Sequence, residues 1–154
     1  AGAHAVKLEG AHVEQIKKLV SSGIPVMGHI GLTPQSVHQL GGFKVQGREN
    51  PAALIAAAKA IEAAGAFAIV LEMVPSDLAI QITKEVKIPT IGIGAGNGTD
   101  AQVLVWTDAF GLTLNPPKLA RSYRNLRNEL LSGAKEFARD VANGDFPSEV
   151  ESFK

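Results

Sequence analysis

The stretch Phe67-Ala68-Ile69-Val70-Leu71-Glu72-Met73-Val74-Pro75 decides the fold. Its run of Ala, Ile, Val and Leu has no polar alternation, the pattern of a parallel strand covered on both faces. Pro75 stops it, because proline removes a backbone donor and biases Val74 away from helix. Glu72 therefore falls at the carboxyl end of a core strand, where open α/β sheets and barrels place their ligand sites. The plainer alternative is a solvated carboxylate at a strand mouth, capping a helix or pairing with Lys or Arg.

Working outward, the spacing predicts an Ala-rich helix over Pro51 to Ala64, with proline suited to its first turn and Gly65 to its C-terminal cap. Ser76 or Asp77 caps the next helix, whose buried face carries Leu78, Ile82 and Val86. The strand Thr90 to Gly94 follows and runs into Ala95-Gly96-Asn97-Gly98-Thr99-Asp100. A glycine-rich loop after a parallel strand can bring backbone N–H groups against an anion, but glycine also serves tight turns and close packing. A dinucleotide-binding reading of this loop fails. Gly92, Gly94, Gly96 and Gly98 lack the Gly-x-Gly-x-x-Gly spacing, and no acidic residue ends a second strand about 20 residues on.

Toward the N-terminus, Ala5 to Gly10 reads as a short strand in which Lys7 and Glu9 share one face. Val13, Ile16, Leu19 and Val20 mark the helix after it, and Pro25 to Ile30 the next strand, with His29 near its mouth. A single His in that place is either a hydrogen-bonded structural residue or part of a site. Val37 to Asn50 is a long glycine-punctuated loop whose Lys44 and Arg48 either hold an anionic substrate or lie in water. Toward the C-terminus, Val103 to Thr107 is expected to be a fifth strand ending near Asp108, read as a turn former. Ser122 to Ala142 is expected to be a helix with a broad apolar face from Tyr123 to Val141. Gly144 to Lys154 is a polar tail whose Phe146, Pro147 and Phe153 can dock on the body or on a neighbouring subunit.

The 154 residues suit one domain of α/β composition, 45% hydrophobic and 19% charged. With zero formal net charge, nothing points to nucleic acid or an anionic membrane surface. The lack of Cys excludes thiolate metal sites and a Cys nucleophile, and no apolar run reaches the length of a membrane span, so a soluble, cytoplasmic protein is the expectation. Ala1-Gly2-Ala3 reads as the end of a helix and its turn. Five βα units imply a parallel architecture but are too few for a closed eight-stranded barrel, which takes about 250 residues.

Several stretches together resemble the ketopantoate hydroxymethyltransferase family. They are Val6 to Gly10, Gly28 to Ser36, Gly41 to Arg48, Val70-Leu71-Glu72, Ile91 to Gly96 and Asp108 to Gly111, in the family's order. Trp106-Thr107 and Leu114-Asn115-Pro116 depart from commoner family forms. The resemblance implies an α/β fold, a (β/α)8 TIM barrel of the phosphoenolpyruvate mutase and isocitrate lyase type. The chain would supply roughly strands 4 to 8 of it as one domain. It further implies transfer of a one-carbon unit from 5,10-methylenetetrahydrofolate to 3-methyl-2-oxobutanoate, with Mg2+ holding the oxo acid, in a large homo-oligomer.

By that resemblance Lys7 binds the oxo acid, Glu9 belongs to the metal site directly or through water, His29 lines the pocket and Glu72 is the proton acceptor. The chemistry suits these residue types. Mg2+ takes oxygen ligands and keeps waters, and a partly desolvated carboxylate at a strand mouth can take the proton from carbon 3. In the family, two aspartates from the second and third strands supply the principal metal ligands, and those strands are absent from this sequence. The chain is therefore expected to work only with an N-terminal partner segment; the alternative is a non-catalytic fragment or assembly subunit. A mutase- or lyase-type chemistry using the glycine loop for a phosphate is disfavoured by the specific Gly28 to Gln35 and Gly41 to Arg48 stretches.

Overall fold

A computed structural model describes residues 2–153, which form two compact units dividing after Val103. Of the expected N-terminal helix end, Ala1 lies outside the described residues, as does Lys154 of the tail.

The first unit runs β1 (Val6–Glu9), α1 (Val13–Ser21), β2 (Val26–Gly31), a single 3-10 turn (Pro34–Ser36), α2 (Pro51–Ala63), β3 (Ala68–Glu72), α3 (Ser76–Glu85), β4 (Thr90–Ile93) and β5 (Ala101–Gln102). All neighbouring strands pair in parallel, in the order β1-β2-β3-β4-β5. The chain thus advances one strand at a time in one direction, each of the first three crossovers being made by a helix.

Strand alternation sorts the sheet into two faces. Val6 and Leu8 of β1, Val26 and Ile30 of β2, and Ile69 and Leu71 of β3 join the core with Ile16 of α1, Ile61 of α2 and Leu78 and Ile82 of α3. Gly28 sits on this face because α2 comes close there; a Cβ would meet the Ile61 side chain at 2.5 Å. The opposite face carries Lys7, Glu9, Met27, His29, Gly31, Ala68, Val70 and Glu72, by the register Glu9↔His29, His29↔Val70 and Gly31↔Glu72. Ala68 and Val70 are buried there as well, so β3 is covered on both sides, as its unbroken apolar run requires.

Helix ends follow their sequence signals. Asn50 caps α2 by accepting the Ala53 N–H at 3.1 Å, with Pro51 in the first turn. Glu62 reaches from α2 to accept the N–H groups of Lys87 and Ile88, fixing the entry to β4. The Asp100 carboxylate accepts from both the backbone N–H and the hydroxyl of Thr90, at 2.8 and 2.9 Å, and these bonds hold its pKa below the usual Asp range.

The expected fifth strand over Val103 to Thr107 is not formed. The Asp100–Thr90 clasp returns the chain to β4 earlier, so pairing falls on Ala101 and Gln102 and ends with Val103 N–H on the Gly92 carbonyl. Val103, Val105 and Trp106 are each about half exposed, so no burial holds this run extended.

In the second unit, Trp106–Ala109 is the short helix α4, with Asp108, expected in a turn, buried inside it. The C-terminal helix α5 spans Leu126–Asn143, starting later than Ser122 because Asn125 caps it by accepting the Asn128 N–H; Gly144 closes it in the left-handed conformation. Its apolar positions Leu130, Leu131, Phe137 and Val141 are half-exposed to exposed, and Phe146 of the tail packs edge-on against Phe137, with ring centroids 5.4 Å apart.

Candidate functional site

The C-terminal ends of β1, β2 and β3 bring the four candidate residues together on the face opposite α1–α3. Register does most of this. Glu9 and His29 are directly paired across β1 and β2, Lys7 sits two residues earlier on the same face as Glu9, and Glu72 is paired with Gly31, two residues beyond His29.

His29 is the hub. It is 3% exposed, its Nδ1 lies 2.9 Å from Lys7 Nζ, and its Nε2 lies 3.1 Å from Glu72 Oε2. The Glu72 approach is too oblique for a hydrogen bond, and Nε2 has no hydrogen-bond partner among the described residues. Lys7 Nζ also donates to Glu9 Oε1 at 3.3 Å, while His29 Nδ1 is 3.6 Å from that oxygen. The site is therefore a charged cluster in which one ammonium stands between a carboxylate and an imidazole, with a second carboxylate across the ring.

The sequence reading did not assign Gln35, whose backbone N–H donates to Glu9 Oε2 at 3.0 Å. The sequence signals only the donor, since Pro34 opens a 3-10 turn and the first N–H groups of any helical turn lack internal acceptors; that Glu9 is the acceptor depends on the fold. Glu9 uses one oxygen on that turn and the other on Lys7.

Gly31 and Met73 shape the mouth around Glu72. Gly31 has φ 93°, and a Cβ there would collide with the Glu72 carbonyl oxygen and the Val74 side chain. The Leu32 N–H donates to that carbonyl at 2.8 Å, tying β2 to β3 just past their ladder. Met73, with φ 48°, is the one non-glycine in the left-handed region among the described residues; its carbonyl accepts the Gln46 N–H at 2.9 Å. The loop carrying Lys44 and Arg48 is thereby fastened one residue beyond Glu72. Both cations line an open cavity of about 510 Å3, with Gly31 and Leu54 in its wall.

The glycine loop after β4 is occupied by packing. A Cβ at Gly96 would meet Ser76 and one at Gly98 would strike Ile80, so both let the loop lie against α3, and the Gln102 amide donates to the Gly96 carbonyl at 2.9 Å.

The described residues do not form a divalent-metal site of their own. Among the described residues, no group of three His, Asp or Glu side chains is arranged to ligate an ion, and the Glu9 carboxylate already faces an N–H and an ammonium. Among the described residues, no helix is long and apolar enough to cross a membrane.

Comparison with known proteins places these features in one family. Residues 1–149 match the family model described as ketopantoate hydroxymethyltransferase. Similar proteins include those named 3-methyl-2-oxobutanoate hydroxymethyltransferase from Thermobifida fusca, 54% identical over 99% of this chain and 56% of its own length, and from Streptomyces avermitilis, 56% identical over 99% and 54%. A third, from Nocardioides, is 55% identical over 99% of this chain and 53% of its own length. The chain spans about half the length of the curated relatives it matches. It belongs to the ketopantoate hydroxymethyltransferase family.

Proposed function

We propose that this chain carries the proton-transfer half of a hydroxymethyltransferase site, which moves a one-carbon unit from 5,10-methylenetetrahydrofolate to 3-methyl-2-oxobutanoate and gives 2-dehydropantoate. The observation that carries the reading is Glu72 at the carboxyl end of β3, its carboxylate beside buried His29 and across the ring from Lys7. The relatives' names supply the substrate.

In this reading Glu72 accepts the proton from carbon 3 of the oxo acid. The new bond forms from carbon 3 to the methylene carbon as the bonds of that carbon to the folate nitrogens are replaced, and a water supplies the hydroxyl oxygen of the product. Tetrahydrofolate leaves. Lys7 is 42% exposed at its side chain and has three N–H donors, two of them engaged, so one remains for the substrate carboxylate. A Mg2+ ion held beside the oxo acid would supply Lewis-acid stabilisation of the negative charge that develops on its 2-oxo oxygen. Its principal ligands must come from outside the described residues, and the position of Glu9 between Gln35 and Lys7 suits an outer, water-mediated role.

The wider reading is a (β/α)8 barrel in which β1 to β5 are roughly strands 4 to 8. Two features support it: the strictly sequential parallel order, and a buried sheet face opposite the helices that carries the site residues. Among the described residues β1 pairs with β2 alone, which leaves its outer edge open for the strand that precedes it in such a barrel. An N-terminal segment of the same enzyme fills that place, in a cytoplasmic homo-oligomer.

One observation favours a second reading, a non-catalytic fragment or assembly subunit: both carboxylate oxygens of Glu9 are already held, one by the Gln35 N–H and one by the Lys7 ammonium. Folate-dependent transfer to 3-methyl-2-oxobutanoate, measured for this chain alone and mixed with the N-terminal segment of a relative, separates the two. Activity in the mixture supports the split site; none in either supports the fragment.

A further inference from the structure

Lys44 and Arg48, on the loop between the 3-10 turn and α2, form no ion pair among the described residues. The loop that carries them is held at two points. The Gln46 N–H donates to the Met73 carbonyl at 2.9 Å, and Gly47, with φ 87°, lies so close to α2 and α3 that a Cβ would strike the Leu54 and Leu78 side chains. Lys44 and Arg48 stand two residues to either side of Gln46, so this anchor fixes the backbone from which both project. On the same stretch the N–H groups of Lys44, Val45, Gly47, Arg48 and Glu49 donate to no protein acceptor among the described residues. These residues line a cavity of about 510 Å3, within the range of about 300–1,000 Å3 that sites for drug-sized ligands span. Its lining sets two cations against one carboxylate, that of Glu49, and includes none of Lys7, Glu9, His29 and Glu72.

We propose that this cavity is a separate subsite that takes a dicarboxylate, the glutamyl tail of the folate one-carbon donor. The inference rests on the hydroxymethyltransferase reading, which requires a folate and gives it no contact on this chain. The chemistry of the lining argues for the tail. Carboxylates only accept, and here backbone donors and two cations stand without protein acceptors. A glutamyl group offers two carboxylates to two separate cations, one of them the planar fork of Arg48, which suits a carboxylate in bidentate contact. A small oxo acid would leave most of the cavity unfilled. Position agrees with chemistry, because Gly31 in the cavity wall is paired with Glu72, and the Met73 carbonyl that holds the loop belongs to the residue after Glu72. A donor anchored by its tail on this loop thus extends its one-carbon end toward the base.

The probe is N-(4-aminobenzoyl)-L-glutamate, which carries the tail without the pterin, titrated into the full chain by calorimetry and by proton–nitrogen NMR of the backbone amides. Expected is saturable binding that weakens with added salt, with the largest shifts at the N–H groups of Val45, Gly47 and Arg48. 4-Aminobenzoate, which lacks the tail, should bind about tenfold more weakly or worse. Equal binding of the two, or shifts confined to the ends of β1 to β3, overturns the tail site. Glutarate, a free dicarboxylate, should also bind more weakly than the probe; equal affinity would assign the cavity to free acids and overturn the donor role. The double change Lys44→Gln with Arg48→Gln should weaken the probe by about fivefold or more, the loss of two exposed charge pairs. Glu49→Gln should tighten it, and a loss there as large as in the double variant overturns the charge argument. The ligand series needs no variant, so it stands whatever a substitution does to folding. The hydroxymethyltransferase reading fails differently, by absence of carbon 3 proton exchange in an assay without folate, so the two failures are distinguishable.

Discussion

Gly31 and Glu72 are directly paired across β2 and β3, and the backbone of Gly31 lies so close to the Glu72 carbonyl that no side chain fits between them. The strand end that presents the proposed base is thus positioned by a glycine on its neighbour. The glycine's φ of 93° adds a second demand for the same residue.

Gly31→Ala should therefore act on fold and site together. The new methyl group meets backbone rather than a flexible side chain, so β3 or the Leu32 turn must shift, at a cost of about 1–3 kcal/mol. Urea denaturation measures the stability loss. A variant as stable as the parent would mean that the two strand ends are further apart than described.

Leu71 is fully buried on the helix-facing side of β3, one residue before Glu72. Leu71→Ala should cost about 2–5 kcal/mol, through lost burial plus the cavity left behind. Ile80, at 38% exposure, is the contrast, and Ile80→Ala should cost well under half as much by the same measurement.

Asp100 gives the fold an acid-sensitive clasp. Its hydrogen bonds from Thr90 hold its folded pKa below the unfolded value, so the stabilisation is present in full above the ordinary Asp pKa of about 3.9 and is lost as pH falls through the lower folded value. Asp100→Asn should therefore be less stable than the parent at neutral pH, and the gap should close as the solution is made strongly acidic. Parallel denaturation curves with a constant gap down to the lowest pH would contradict the assignment.

Glu9 connects Lys7 to the Pro34–Ser36 turn. Glu9→Gln keeps the shape and removes the charge that Lys7 and the Gln35 N–H both face, with an expected loss of about 1–3 kcal/mol in stability. If Glu9 also serves Mg2+ through water, the same change weakens Mg2+ binding in the reconstituted enzyme, read by titration calorimetry; unchanged affinity would limit Glu9 to its hydrogen bonds.

Much of this was legible in the sequence because it depended on short-range signals. The apolar run ending at Glu72, the alternation of Lys7 and Glu9, and the proline and glycine at the ends of α2 each dictate local structure, and parallel register then carries Lys7, Glu9, His29 and Glu72 to one face. What was not legible depended on contacts distant in sequence. The Asp100–Thr90 clasp moved β5 forward by two residues and left Val103 to Trp106 without the burial an apolar strand needs. The Gln35 bond to Glu9 needs the turn after β2 to fold back over β1, which no periodicity announces. The glycines at 96 and 98 looked equally suited to an anion or to packing until α3 was seen against them.

The measurement that bears most directly on Glu72 as the base is exchange of the carbon 3 proton of 3-methyl-2-oxobutanoate in heavy water, followed by proton NMR without folate, for the reconstituted parent and its Glu72→Gln variant. The expected result is exchange in the parent and a loss of about a hundredfold or more in the variant, with binding of the oxo acid retained. Exchange at the same rate in both would contradict the role of Glu72 as the base.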